Sequence, residues 1–544
     1  MKNSGIIFCW LMIATTLLLI GCTQHQHPDK MIFRYNESSG IASLDPAFAK
    51  NQSIMWAVHQ LYSTLVVVDE QLQIKPSVAK HWVFSDDATV LTFYLRDDVF
   101  FVDDACFKNG KGRKLVAADV VYSFNRIMDS QTASPGAWIF NNRVAAQQPF
   151  TAINDTTFQI RLQQPFQPIL GIMSMQYCSI VPHEAVAFYK NDFRRHAVGS
   201  GPFKMVAWDE GQALVLTKNN QYFEKDVDGK QLPYLDGVYV SFYDSKATEF
   251  LVFQQGNIDF INDIDPSFKD EILSKTGQLK KEWQGKINLQ KHPYLNIEYF
   301  GILMDTANAL VKTSPLKIQQ IRQAINYGID KNKMMLYLRN SVGTAALSGF
   351  VPKGLPSFND TLVKGYNYNP AKAKALINAA GFSSVNPMPT VTLLTIPIYA
   401  NLANYIASEL NLIGISIKVE VVQKSLLLEL TSQSKALFFR GSWIADYPDA
   451  ENYLSVFYSK NPAPPNYTRF KNLAFDSLYE KALQTVNDST RYKLYQQMDA
   501  IIIENAPVVP LWYDEAIHLV QPNVEQFAPN SLNMLELKRV KKRQ

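Results

Sequence analysis

Apolar and polar positions along this chain change their period several times, and each change marks an element. Residues 6–20 form an almost unbroken apolar run behind the single basic residue Lys2. That run has the length of a signal-peptide core and is short for a membrane span. It ends in Leu19-Ile20-Gly21-Cys22. A small residue directly before a cysteine is the pattern of a bacterial lipobox, in which the thiol is acylated and the chain is cut just ahead of it. An ordinary secretory signal and an uncleaved membrane anchor are the alternatives. Residues 23–30 are polar and read as a short flexible tether.

Beyond the tether, period-2 and period-3.6 patterns alternate. Residues 90–95 (Val-Leu-Thr-Phe-Tyr-Leu) and 238–242 (Val-Tyr-Val-Ser-Phe) predict strands. Residues 119–128 predict a helix with Val120, Val121 and Phe124 on one face. Ser314-Pro315 predicts a helix start, a capping side chain followed by a proline that needs no N–H there. Ile318, Ile321, Ile325 and Ile329 would then continue one apolar stripe. Asn369-Pro370 repeats the start, and Gly381 closes that helix with a left-handed cap. A strand at 391–396, a helix at 402–413 and a strand at 415–422 make a βαβ unit, which requires a parallel sheet. The expected fold class is therefore α/β, in lobes with mixed sheets.

Composition narrows this little. The 544 residues suffice for two or three domains, and 47% hydrophobic with 19% charged residues is ordinary for a soluble globular protein. No second apolar run approaches a membrane helix in length. The net charge of +4 includes five basic residues at Lys538, Arg539, Lys541, Lys542 and Arg543, so the body is slightly acidic and carries no nucleic-acid footprint. The tail is expected as a frayed, solvated end, with contact to an anionic lipid surface as the second reading. Four cysteines are present. Cys9 leaves with the signal and Cys22 is expected to be lipidated. For Cys106 and Cys178 the spacing leaves a disulfide and two buried free thiols equally open.

The common catalytic patterns are absent from the sequence. Gly110-Lys111-Gly112-Arg113 lacks phosphate-loop spacing, His183-Glu184 has no second histidine in helical register, and Gly199-Ser200-Gly201-Pro202 reads as a turn rather than a nucleophile elbow. No enzyme, cofactor or metal is expected. One segment stands out instead, Arg440-Gly441-Ser442-Trp443-Ile444-Ala445-Asp446-Tyr447-Pro448-Asp449. It follows the apolar stretch 436–439, hence a strand end, where α/β folds gather ligand residues. Trp443 offers a flat surface, Asp446 a partner for an ammonium group and Arg440 a fork for a carboxylate, a set that suits a zwitterion. The structural alternative is a turn with Trp443 in the core and Asp446 capping a helix into Tyr453 and Leu454.

Several segments together resemble the extracytoplasmic solute-binding proteins (family 5) that serve oligopeptide and dipeptide ABC importers. They are Ser43-Leu44-Asp45-Pro46; residues 76–82 and 91–96; Ala117-Ala118-Asp119-Val120-Val121-Tyr122-Ser123; Gly199-Ser200-Gly201-Pro202-Phe203; Ile321-Arg322-Gln323-Ala324-Ile325-Asn326; and Ala445-Asp446-Tyr447-Pro448-Asp449. Each is weak alone, but their order and spacing over most of the chain are specific. The resemblance implies a clamshell of two lobes joined by crossing hinge strands. Residues 31–293 with 511–544 would form the first lobe and 294–510 the second, after a signal at 1–21 and a lipidated tether at 22–30.

It also implies a peptide laid extended in the cleft, with Asp446 on its α-amino group beside Trp443, flanked by Ala445 and Tyr447, and Arg440 on the carboxylate of a short peptide. Asn51 and Gln52, with Asn262 and Asp263, would line the opposite side. Dipeptide binders carry an arginine after the strand matching 394–398. Here Tyr399-Ala400-Asn401 follows, which argues against a strict dipeptide pocket. The implied partners are peptide ligands, ABC permease subunits and a bacterial membrane reached through Cys22, for a monomer on the extracytoplasmic face. Same-family receptors for nickel chelates, haem or oligosaccharides, and a sensor or chaperone without a transporter, are the alternatives. A secreted hydrolase would lack a nucleophile and a metal.

Overall fold

Two long antiparallel strands, Asn288–Ile302 and Val508–Val520, set the frame of the molecule. Their apolar runs are buried over most of their length, as befits strands at the centre of a sheet. Asn288 faces Val520 at one end and Gly301 faces Val508 at the other, but the ladder slips between Pro293 and Ile297. The register holds up to Pro293, opposite Glu515, and it shifts a second time between Glu298 and Tyr299. The computed structural model describes residues 30–265 and 268–543; the signal segment 1–21, Cys22 and most of the tether lie outside the described residues.

The two strands lie inside an eleven-stranded sheet. Beyond Val508–Val520 come Phe260–Asn262, Ile32–Asn36, Gly237–Ser241, Ala213–Lys218 and Phe203–Asp209 in that order. Beyond Asn288–Ile302 come Phe438–Ile444, Val391–Thr395 and Ile417–Val421. Each half has its own core, around Phe33, Trp56, Phe124 and Phe158 on one side and around Phe300, Ile325, Leu393 and Phe438 on the other. The result is a mixed α/β protein of two lobes joined by shared strands. The first lobe adds a four-stranded antiparallel sheet, Ala79–Phe84, Val90–Leu95, Thr157–Arg161 and Phe150–Asn154. The helix Ala117–Met128 packs on it through Phe124, whose ring lies 5.4 Å from Phe150 and 5.5 Å from Phe158.

The strand at 90–95 and the helix ending at Met128 form as their patterns predict. Val391 pairs with Ile417 in parallel, with helix Ala400–Asn411 as the crossover. Gly199 and Gly201 sit in a turn against the end of helix Gln52–Leu61, where an added Cβ at Gly199 would fall 2.1 Å from the Leu61 carbonyl oxygen. That turn is structural.

Two expectations are corrected, and the open choice for the two cysteines is resolved. Ser314 caps only a three-residue turn, Pro315–Lys317, and the helix proper is Gln319–Tyr327. The break serves Arg322, which is 4% exposed and donates to the carbonyls of Leu316, Lys317 and Asn505; a continuous helix would consume the first two. The basic tail is not frayed. Lys542 pairs with Asp259 at 3.0 Å and Lys538 with Glu224 at 3.0 Å, while Lys541–Lys542 adds a short strand to Val524–Glu525. Cys106 and Cys178 are free thiols. Cys178 is sealed in the first lobe's core, whereas Cys106 lies half-buried in a loop beside Asp104. Burial, with the Asp104 carboxylate, pushes the Cys106 thiol up to about 12.

Candidate ligand-binding cleft

The strand Phe438–Ile444 delivers the segment singled out in the sequence to the junction of the lobes. Phe300 faces Arg440 and Asn296 faces Ile444, and the Ala445 N–H donates to the Leu295 carbonyl at 2.8 Å. Asn452 then organises the turn. Its Oδ1 accepts from Trp443 Nε1 at 2.9 Å and from the Asp446 N–H at 3.3 Å, and its Nδ2 donates to Asp446 Oδ2 at 3.2 Å. Trp443 is half-buried rather than a core residue. Asp446 does not cap the short helix Glu451–Leu454; Asp449, just ahead of it, accepts from the Glu451 N–H at 2.9 Å and pairs with Arg491 at 3.2 Å. Asp446 Oδ1 therefore has no hydrogen bond among the described residues.

Asp446 opens onto a cavity of about 670 Å³ between the lobes. Trp443, Asp446, Glu451 and Asn452 line one wall, and Trp138, Arg143, Gln164 and Phe166 line the other. A second, smaller cavity of about 80 Å³ lies on the opposite flank of Asp446, against His59, Gln176 and Met534. Solvent reaches the Asp446 carboxylate, yet protein crowds it on most sides. This partial desolvation pushes its carboxyl above the usual range, opposed by the bond from Asn452 and by the charge of Arg143. Tyr447 is buried, and its hydroxyl donates to Glu451, as does that of Tyr479. Burial raises the Glu451 carboxyl as well. Tyr447 and Pro448 also touch the first lobe: an added Cβ on Gly171 would lie 3.4 Å from Tyr447 Cβ and 3.3 Å from Pro448 Cδ.

Arg440 stands in a different setting. Its Nη2 donates to both oxygens of Glu298 at 2.6 Å, and its Cζ lies 4.3 Å over the Tyr399 ring. The Tyr399 hydroxyl donates to the same carboxylate at 3.2 Å. Glu298 is 3% exposed; burial raises its carboxyl and the Arg440 charge opposes that shift. The network continues from Asn296 to Asp514 at 3.1 Å and from Asp514 to Arg339 at 3.0 Å. One nitrogen of the fork expected to take a ligand's carboxylate thus already meets a carboxylate of the protein, while Arg440 Nε has no hydrogen-bond partner among the described residues. Tyr399 sits in this network and not in the cavity beside Asp446.

The first-lobe residues expected opposite are tied elsewhere too. Asn51 caps helix Gln52–Leu61 through the Ile54 N–H at 3.2 Å. Gln52 accepts from Asn262 at 3.1 Å, Asn262 accepts from Asn533 at 3.2 Å, and Asn533 meets His518 of the long strand at 2.9 Å. Asp263 has a left-handed backbone (φ 65°) and accepts from the Ile264 N–H. None of the four lines the cavity with Trp443 and Asp446. Arg143, Glu451 and Glu298 are the cleft residues that the sequence alone does not single out. Only Glu298 left a signal, a lone carboxylate in the apolar run 295–302, where a buried charge demands a partner.

A separate acidic cluster of Asp119, His183 and Glu184 has ligating atoms within 4.8 Å of one another. Arg113 occupies it, donating to Asp119 at 2.7 and 2.8 Å and to Glu184 at 2.6 and 2.7 Å, so the positive charge a cation would bring is already there.

Comparison with known proteins agrees with this architecture. The family model for bacterial extracellular solute-binding proteins, family 5, matches residues 73–465. The periplasmic oligopeptide-binding protein OppA of Salmonella typhimurium is 26% identical, over 91% of this chain and 90% of its own. Heme-binding protein A of Haemophilus influenzae is also 26% identical, over 95% of each chain. The solved structure of HbpA2 from Haemophilus parasuis, 24% identical, superposes with a TM-score of 0.82 over 94% of this chain and all of that one, and shares its two-lobed fold. With a family match across nearly three quarters of its length and relatives aligned almost end to end, this chain belongs to the bacterial extracellular solute-binding proteins of family 5.

Proposed function

We propose that this protein is the substrate-binding component of an ABC importer, held to a bacterial membrane by lipid on Cys22, and that its two lobes close on an extended oligopeptide. The observation that carries the reading is Asp446. It is a carboxylate with one uncommitted oxygen, beside Trp443, on the wall of an inter-lobe cavity whose size falls in the range of ligand pockets. An α-ammonium group placed there would relieve the cost of crowding that carboxylate. Residues 31–293 with 511–544 and residues 294–510 are the moving bodies, and the slip of the ladder after Pro293 supplies a compliant point between them. A ligand that touches both walls binds the closed form better than the open one, and that difference is what shifts the population toward closure.

The backbone of an extended peptide would add hydrogen bonds along the cleft that do not depend on sequence. The protein needs no covalent chemistry for this role. It would act as a monomer on the extracytoplasmic face, presenting the closed form to permease subunits, with the lipid and tether keeping it at the membrane. A haem, nickel chelate or oligosaccharide has no free ammonium for Asp446, which favours peptides over the other ligands named in this family. Calorimetry on Asp446→Asn tests the assignment: affinity for a good peptide should fall roughly ten- to a hundredfold, the worth of one charge-assisted bond, with the fold retained. Unchanged affinity would remove Asp446 from the site. Incorporation of labelled fatty acid that is lost in Cys22→Ser tests the anchor.

A further inference from the structure

The cavity beside Asp446 has a positive wall as well as a negative one. Arg143 lies on the first lobe, between the turn Ala137–Ile139 and the strand Phe150–Asn154. Its orientation is set by groups that leave its charge intact. Nη1 donates to the carbonyls of Trp138 at 2.9 Å and Ile139 at 3.4 Å, and Cζ lies 5.1 Å from the Phe166 ring and 5.7 Å from that of Trp138. Carbonyl dipoles and ring faces hold a guanidinium in place without neutralising it. Among the described residues Arg143 makes no ion pair, and its Nε and Nη2 have no hydrogen-bond partner. Its charge is nonetheless felt across the cavity, where it stabilises the ionised forms of Asp446 and Glu451.

The contrast with Arg440 decides which arginine is available. Both arginines keep nitrogens without a hydrogen-bond partner, but Arg440 is in an ion pair: its Nη2 meets both oxygens of Glu298, and drawing it away would strand a buried carboxylate. Arg143 can accept an anion with nothing to break. Glu451, the other acid it faces, is served by the hydroxyls of Tyr447 and Tyr479. We propose that Arg143 is the specificity-determining residue that takes the ligand's carboxylate, so that the cavity recognises a short peptide by both ends, its ammonium on Asp446 and its carboxylate on Arg143. This rests on the peptide reading of Asp446 given above. Because the two charges belong to opposite lobes, a zwitterionic peptide spanning them is bound fully only when the lobes are together. Longer peptides, whose carboxylate falls outside the cavity, lose that contact.

Calorimetry with the full chain, freed of bound ligand, tests this with alanine peptides from dialanine to pentaalanine and with the N-acetylated and C-terminally amidated forms of the best binder. In the unmodified protein, amidation should weaken binding about tenfold or more, as expected for loss of a charge-assisted pair. The amidation penalty should vanish in Arg143→Gln and persist in Arg440→Gln. Arg143→Lys, which keeps the charge without the fork, should retain a reduced penalty and serves where the glutamine variant folds poorly. An amidation penalty absent from the unmodified protein, or one that survives Arg143→Gln, overturns the inference. In either case a large loss on N-acetylation leaves the Asp446 reading standing. N-acetylation without effect, or no binding by any of the peptides, overturns both. Were Arg143 only a counter-charge for Glu451, Arg143→Gln would lower the melting temperature and leave the amidation penalty intact, which also overturns it.

Discussion

The cleft contains two charged regions of opposite character. Around Arg440, every charge is met within the protein: Glu298 receives the guanidinium and the Tyr399 hydroxyl, and Asn296 and Arg339 share Asp514. Around Asp446, charges face a cavity with capacity to spare: one carboxylate oxygen is free, and Arg143 across the gap has no ion pair among the described residues. Both regions hold an arginine and acids at the lobe junction, so residue type alone does not separate them. Charge pairing does. A buried ion pair resists removal of either partner, even though Arg440 Nε and Asn296 Oδ1 lack hydrogen-bond partners here, whereas unpaired charges at a cavity wall cost the fold little and are there to be filled.

The largest expected effect lies in the region of the buried ion pair. Glu298→Ala would leave Arg440 buried without its partner and should destabilise the protein by about 3–5 kcal/mol, read as a fall in the denaturant midpoint. Replacing both residues with apolar ones of similar volume should recover most of that loss. A small effect of the single substitution would mean that Arg440 does not depend on Glu298 for its charge partner. Next comes Asp446→Asn, for which the prediction is reversed: stability unchanged or slightly raised, since a crowded carboxylate is removed, while peptide affinity falls.

A third effect follows from acidification. The crowded Asp446 carboxyl titrates above its ordinary range when the cleft is empty, and an ammonium partner lowers it again. Peptide binding should therefore weaken as the pH falls through that raised value, with a proton released on binding. Calorimetry in buffers of different ionisation enthalpy measures the proton, and the pH dependence should flatten in Asp446→Asn. The smallest expected effect is mechanical. Gly171 touches the Tyr447-Pro448 turn so closely that Gly171→Leu should wedge the lobes apart. It should reduce affinity several-fold and enlarge the radius of gyration of the peptide-bound protein in X-ray scattering, with Gly171→Ala closer to the parent.

The parts that local pattern governs were legible in the sequence. The βαβ unit, the helix ending at Met128 and the turn bearing Trp443 and Asp446 depend on residues a few positions apart, and periodicity and capping chemistry report such relations. What was hidden depends on distance along the chain. Glu298 and Arg440 are 142 positions apart, and no local pattern reveals that they pair. Arg143 lies in a stretch whose composition reads as loop. The tail reads as frayed because five basic residues crowd positions 538–543, yet Asp259 and Glu224 hold it from far upstream. The start at Ser314-Pro315 forms as a capped turn but does not run on into the helix, because Arg322 claims the Leu316 and Lys317 carbonyls and is held in place by Asn505 from far along the chain. For the Glu298–Arg440 pair and the tail, the partners lie too far along the chain for a local signal to report them.

Whether the open region exists to hold peptides is tested most directly by what the protein carries out of the cell. Mass spectrometry of ligand released by acid from protein purified without refolding should find a mixture of short peptides with free termini, absent from Asp446→Asn. A single tetrapyrrole, metal chelate or sugar, retained by Asp446→Asn, would contradict the account.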